Sequence, residues 1–273
     1  MIPCVRAVLL DLDGVLYVEA EPVPGAAEAV ERMRASGLKL RFVTNTTSHS
    51  RAATLDKLRA LGFGVGDEEL LTPAVLALEH CRARGHRRVA LLMNDAVKTD
   101  FAELEEADQE PDAVIVGDLG ERFTYDVLNH AFRQLLGGAE LIALQKNRYW
   151  LREDGLCLDV GPFVAALEYA AACEAHVVGK PAAAFFSHVL EGMGAASGEA
   201  VMIGDDIESD IGGAVRAGLA AILVRTGKYR DSALLARGTE PTATVDSIAD
   251  VPSLLTSSPQ SEIVSRSDSA RGV

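Results

Sequence analysis

Short runs of Val, Leu and Ile alternate along the chain with stretches whose apolar residues recur every three to four positions. This is the rhythm of strands and helices taking turns around a parallel sheet. The first run, residues 5–10, predicts a buried strand. Pro24 and Gly25 then open a helix in which Ala26, Val30 and Met33 share a face, and Gly37 closes it. A second strand falls at 38–43, followed by a helix capped by Ser50, with Leu55, Leu58 and Leu61 on one side and Gly62 at its end. A helix over about 72–84 leads into a second alternating set: strand 89–93, helix 99–106, strand 113–116, helix 125–136, strand 141–144, helix 162–172. After a strand-like 176–178, the helix 182–193, strand 201–203, helix 211–217 and strand 221–224 return to the style of the first set.

That interruption, in a chain of 273 residues, implies an α/β protein of two domains. The expected core is doubly wound around a parallel sheet and spans 1–78 and 178–255, with an inserted α/β domain at 79–177. The remaining residues, 256–273, are polar and Ser-rich, and a disordered tail is expected there.

Apolar residues at 48% and charged residues at 24% match a protein with a sizeable core. With 26 basic against 40 acidic residues the net charge is -14, which opposes nucleic acid and anionic membrane surfaces as partners. Neither a leader-like start nor a membrane-length apolar run is visible, so a cytoplasmic, reduced protein is expected. Cys4, Cys81, Cys157 and Cys173 are scattered without a C-x-x-C pair, which argues against zinc and against a disulfide framework. Cys81 and Cys173, on helical patterns, read as small core residues. The G-x-G-x-x-G spacing of a dinucleotide site is absent.

The chemistry gathers at strand ends. Asp11 and Asp13 follow the first strand directly and precede Gly14, and crowded carboxylates there call for a neutralising cation. Hard oxygen ligands select magnesium or calcium, and magnesium pairs with few carboxylates plus phosphate oxygens. Thr44 and Asn45 follow the second strand, Lys180 follows Val177 and Gly179, and Asp205, Asp206 and Asp210 follow strand 201–203. Singly, Thr44 and Asp206 are also good helix caps, and Lys180 before Pro181 is also a good surface residue. Together they converge on one crevice at the carboxyl ends of a parallel sheet.

The series DLDGVLY, VTN, GKP and GDDIESD, in that order and each at a strand end, resembles the haloacid dehalogenase superfamily of phosphotransferases. The resemblance implies that Asp11 is the nucleophile, forming an aspartyl-phosphate, and Asp13 the general acid and base. It implies magnesium held by Asp11, the backbone carbonyl of Asp13 and Asp205, with Asp210 orienting a bound water or Lys180. Thr44 and the backbone or amide of Asn45 would bind phosphoryl oxygens, and Lys180 would supply a point charge. The insert between the Thr44 and Lys180 motifs is similar to a C2-type cap. FVTNTTSHSR, NRYW with DGLCLDVGPFVAALEYA, and AVMIGDDIESDIGGA with ILVRTGKYR resemble the group acting on phospholysine, phosphohistidine and inorganic pyrophosphate. Some of its members carry serine where this chain has Asp13, so an active hydrolase is implied here. The implied partner is a small phosphorylated substrate, with a sugar phosphate or nucleotide as the other candidate. A homodimer is the expectation from such caps.

Weaker signals are open to two readings each. Tyr149 and Trp150 read as half-buried strand residues, with Asn147 and Arg148 as candidates to touch a leaving group. Asp159, with Gly161 and Pro162 at a helix start, reads as a turn and helix cap, with a substrate-reading loop as the alternative. His49, in a polar loop, reads as solvent-facing.

Overall fold

The computed structural model describes residues 5–152, 155–229 and 239–255. Cys4, the turn at Asp154 and the expected tail at 256–273 lie outside the described residues.

The chain opens with β1 (Ala7–Asp11), whose five residues are all buried. A two-strand hairpin, β2 (Tyr17–Val18) and β3 (Glu21–Pro22), leads to α1 (Ala26–Ala35) and β4 (Lys39–Val43). Next come α2 (Arg51–Ala60), where Ser50 accepts a hydrogen bond from the Ala53 N–H as the sequence predicts, β5 (Leu70–Leu71) and α3 (Pro73–Arg84). A second set follows: β6 (Arg88–Leu92), α4 (Asp95–Lys98), β7 (Glu105–Glu106), β8 (Ala113–Val116), α5 (Tyr125–Leu136) and β9 (Glu140–Ala143). The antiparallel hairpin β10 (Tyr149–Arg152) and β11 (Gly155–Leu158), then α6 (Val160–Ala171) and β12 (His176–Val177), complete it. The chain ends through α7 (Ala183–Met193), β13 (Ala200–Gly204), α8 (Gly213–Arg216), β14 (Ala220–Val224) and β15 (Ala243–Val245).

The first sheet has the order β15-β14-β13-β1-β4-β5 and every pair in it is parallel. After β1 the chain winds outward through β4 and β5, and on its return it fills the other side from β13. The reversal leaves a crevice beyond the carboxyl ends of β1 and β13. Residues of β1 alternate between faces: Ala7 and Leu9 join one buried cluster, Val8 and Leu10 another. Burying each such leucine contributes about 1.5–3 kcal/mol. The second sheet, β12-β9-β8-β6-β7, is also parallel. The first cluster draws on both sheets: Leu9 and Met202 from one, Val89 and Ile115 from the other, with Ala77 of α3 and Phe186 of α7.

Four expectations need correction. The helix at 99–106 is α4 plus a single 3-10 turn at Thr99–Phe101, and Glu105–Glu106 is an edge strand beside Arg88 and Val89. Asn94 caps four residues early, accepting from the Val97 N–H, and the open edge of β6 captures the segment's end. The helix at 211–217 begins as a π-helical turn over Ile207–Gly212, which Asp206 caps. Cys173 is exposed rather than core, because Ala172 turns left-handed (φ 50°) and carries the chain off α6. Tyr149 and Trp150 are strand residues but more open than expected, at 52% and 45%. Cys81 is buried as expected.

Candidate active site

Asp11, a buried residue, ends β1, and the Lys180 Nζ lies 2.5 Å from its Oδ1. The same ammonium is 2.7 Å from Asp210 Oδ1. Lys180 is 1% exposed, so its charge survives burial only because both carboxylates hold it. Burial alone would lower its pKa, yet Asp11 and Asp210 outweigh that and raise it. Asp205 and Asp210 come from the loop after β13, and the carboxylates of Asp11, Asp205 and Asp210 reach within 4.8 Å of one another.

Asn45 explains how Lys180 is placed. Its Oδ1 accepts from the Lys180 N–H at 2.9 Å and its Nδ2 donates to the Lys180 carbonyl at 2.7 Å. The amide therefore holds the lysine's backbone, while Asn45 also lines the crevice. The Thr44 hydroxyl accepts from the Thr46 N–H at 2.9 Å, shaping the loop that continues through Thr47 and Ser48 along the crevice. Asp206 caps the π-helical turn, accepting from the Glu208 and Ser209 N–H groups at 2.9 and 3.0 Å.

Gly14 lets the pocket close. Its φ is +82°, and a Cβ there would run into the Asp205 carboxylate. Asp205 Oδ2 accepts from the Lys228 N–H at 2.6 Å, while its buried Oδ1 has no hydrogen-bond partner among the described residues. Burial first, then Asp11 and Asp210, hold the Asp205 carboxyl well above its ordinary range. Asp210 is pushed up to about 7, by burial and then by Asp11.

Asp11, Asp205, Asp206 and Asp210 surround Lys180 and Lys228 with more negative than positive charge, and the partnerless Asp205 oxygen belongs to that set. An oxygen-only donor set with surplus charge and one idle ligand atom fits a small divalent cation such as magnesium.

Asp13 reaches solvent at the crevice mouth, but the atoms crowded around it raise its carboxyl, and the neighbouring Asp11 raises it further. Opposite stands the second sheet's contribution, which sequence reasoning named only in part. Asn147, Trp150 and Asp159 line the crevice, and so do Asp118 and Gln145, which it did not name. Asp159 caps α6 as expected, accepting from the Val160 N–H at 2.7 Å, and also accepts from Gln145 Nε2 at 2.6 Å. Arg148 instead crosses to Glu208 at 3.3 Å, one of several ties between the two sheets' loops. Others run from Asn94 Nδ2 to the Thr47 carbonyl at 2.9 Å and from the Arg51 N–H to Asp100 at 2.9 Å. His49 is exposed and outside the crevice, its Nδ1 3.0 Å from the Ser48 hydroxyl. Lys228 was the other omission; its signal was TGK just past a strand end, the same placement that marked Lys180.

A parallel sheet that sets carboxylates and a buried lysine at its strand ends, beneath loops from an inserted second sheet, defines a capped α/β hydrolase. The haloacid dehalogenase-like hydrolase family matches residues 8–107, and a HAD-hydrolase-like family matches residues 177–251. The human haloacid dehalogenase-like hydrolase domain-containing protein 2 is 48% identical over 227 residues, 83% of this chain and 86% of that protein. The phospholysine phosphohistidine inorganic pyrophosphate phosphatase of Xenopus laevis is 46% identical over 235 residues, 84% and 86% of the two chains. Among solved structures, the p-nitrophenyl phosphatase from Archaeoglobus fulgidus superposes with a TM-score of 0.86 at 26% identity, covering 93% of this chain and all 100% of that one. The chain belongs to the haloacid dehalogenase-like hydrolase family, and within it to the phosphatases with a C2-type cap. No helix among the described residues is long and apolar enough to cross a membrane.

Proposed function

We propose that this chain is a magnesium-dependent phosphatase that works through an aspartyl-phosphate on Asp11 and prefers phosphorus–nitrogen substrates, phosphohistidine or phospholysine. The observation that carries the phosphatase reading is the buried Asp11–Lys180–Asp210 chain beside the partnerless Asp205 oxygen. Magnesium, held by Asp11, Asp205 and the Asp13 backbone carbonyl, would supply Lewis-acid screening of the phosphoryl charge.

An Asp11 carboxylate oxygen attacks phosphorus as the bond to the leaving atom breaks. Asp13, whose carboxyl is raised by burial and by the neighbouring Asp11, gives a proton to that atom. It then takes a proton from the water that attacks the phosphoryl-Asp11, so inorganic phosphate departs and both acids are restored. Lys180 holds Asp11 in line and offsets charge on the phosphoryl oxygens, with the backbone beyond Thr44.

The cap side supports the substrate class. Asp118 and Asp159 lie close enough to repel one another, and Trp150 lies on the same crevice wall. Two carboxylates and an indole suit a leaving group that departs as a cationic amine or imidazole. They disfavour one that departs as phosphate. The relatives named for phospholysine, phosphohistidine and pyrophosphate agree with part of this order.

The test is a panel of phosphohistidine, phospholysine, pyrophosphate, a sugar phosphate and a nucleotide, assayed for phosphate release with wild type and with Asp118→Asn. Wild type should prefer the two P–N compounds, and the variant should lose part of that preference through KM. Turnover of one monoester with none on either P–N compound rejects the substrate class. Full activity in Asp11→Asn rejects the nucleophile. A homodimer remains the expected assembly, to be read from light scattering.

A further inference from the structure

A second cluster of ionisable side chains lies away from the phosphoryl crevice, and the mechanism makes no use of it. His80 comes from the last turns of α3, His86 from the loop that follows, Glu140 from the first residue of β9 and His176 from the first of β12. The parallel register sets His176 beside Ile142, so Glu140, two residues earlier on β9, points to the same side of the sheet. His80 Nε2 is 2.9 Å from Glu140 Oε1, and His86 Nε2 is 2.6 Å from Oε2. The His176 ring stacks on His80 at a centroid distance of 3.8 Å. Among the described residues, neither ring nitrogen of His176 has a hydrogen-bond partner.

These groups are poised as ligands. Burial by itself would raise Glu140, but the hydrogen bonds from His86 and His80 bring it down to about 2, so it is a carboxylate throughout the working range. Burial and the neighbouring His80 push the His176 imidazole below its ordinary range, which favours the neutral ring that can ligate a cation. One ligand atom each from His80, Glu140 and His176 falls within 4.8 Å of the others. Two imidazoles and a carboxylate are the donor set of zinc and its borderline neighbours, and differ from the all-oxygen set at Asp11 and Asp205. Beside them opens a cavity of about 360 Å³, walled by Leu76, Glu79 and His80 of α3, by His176, and by Phe185 and His188 of α7.

We propose that His80, His176 and Glu140 form a binding site for a borderline divalent cation of the zinc class, with a coordination position left open toward this cavity. A single ion cannot lie in the planes of two stacked rings, so binding turns the His176 ring out of the stack, and Arg84, 3.4 Å from Glu140 and largely exposed, gives way to solvent. The site's position gives the ion leverage. Helix α3 carries the chain from the first sheet into the second, and β12 carries it back, with His176 only four residues before Lys180. An ion shared by α3 and β12 clamps together the two crossings between the sheets.

The test uses the full chain, stripped of metal and returned to excess magnesium, then titrated with cobalt(II) and afterwards zinc(II). One equivalent of cobalt should show the visible absorption of a low-coordinate nitrogen and oxygen site and be displaced by zinc. His80→Ala and His176→Ala should each weaken uptake at least about tenfold, since even outer-shell partners of a metal are worth that much. Asp205→Asn, which alters only the carboxylate pocket, should leave it unchanged. In the wild type, independently of any variant, zinc should shift the imidazole proton resonances of His80 and His176. Uptake that survives both histidine substitutions, uptake lost only with Asp205→Asn, or unmoved wild-type resonances would each overturn the proposal and leave the cluster a hydrogen-bonded knot.

Discussion

Replacing Lys180 with methionine tests the electrostatic core of the site, because the two side chains have similar reach and only the charge is removed. In the wild type the ammonium is 2.5 Å from Asp11 and 2.7 Å from Asp210, and the exposures of the three side chains are 2%, 11% and 1%. Breaking a buried pair by removing one partner costs about 3–5 kcal/mol, since the remaining charge is left unpaired. At about 2–4 °C per kcal/mol for a chain of this size, Tm should fall by roughly 6–20 °C near pH 8 without metal. The deficit should shrink toward about pH 5. Asp210 is already raised to about 7 with Lys180 present, through burial and then Asp11. A carboxyl raised in the folded state contributes stability that is fully present below its unfolded pKa and is lost as pH rises through the folded one. Losing Lys180 raises Asp210 further, so Lys180→Met separates most from wild type where Asp210 must ionise. Thermal unfolding by circular dichroism in chelator, at both pH values, reads the effect. A deficit below about 1 kcal/mol at pH 8, or one equally large at pH 5, refutes the view that Lys180 neutralises this pocket.

Asp13→Asn should lower kcat by about 10²–10⁴-fold, the usual worth of general acid–base catalysis. With an aryl phosphate, whose leaving group needs little protonation, rapid quench should reveal phosphoryl-Asp11 accumulating, and an absent phosphoenzyme argues against the second role of Asp13. Magnesium should raise Tm more at about pH 8 than at about pH 5.5, because it competes with protons held by Asp205 and Asp210. An increment independent of pH would place the ion elsewhere. Gly14→Ala should cost about 1–2 kcal/mol for the left-handed backbone and also weaken magnesium binding by calorimetry, since the new methyl meets the Asp205 carboxylate. Unchanged magnesium affinity would separate Gly14 from the metal pocket.

Asp11 and Asp13 were legible because an all-buried strand ends at them, and an apolar run that stops on two acids has few other meanings. Lys180, Asp205 and Asp210 were legible for the same reason, as chemistry placed one step beyond an apolar run. Glu105–Glu106 was not, since two charged residues become a strand only because the edge of β6 is there to receive them. Asn45 shows the limit of a motif: its place at the site was readable, while the commitment of its amide to the Lys180 backbone depends on a contact between residues 135 apart in the chain. Asp118 and Gln145 carry no local pattern that distinguishes them from solvated polar residues, and they join the site because the loops that bear them meet over it.

The sequence by itself determined the parallel α/β order, the strand ends and the identity of the charged groups waiting there, because period and buried runs are local properties of the chain. Only the tertiary structure decided the balance among those charges: which carboxylate takes Lys180, which oxygen is left without a partner, and how far burial lifts Asp205 and Asp210. Distance and desolvation set those quantities, and neither exists until the strands and the second sheet have packed together.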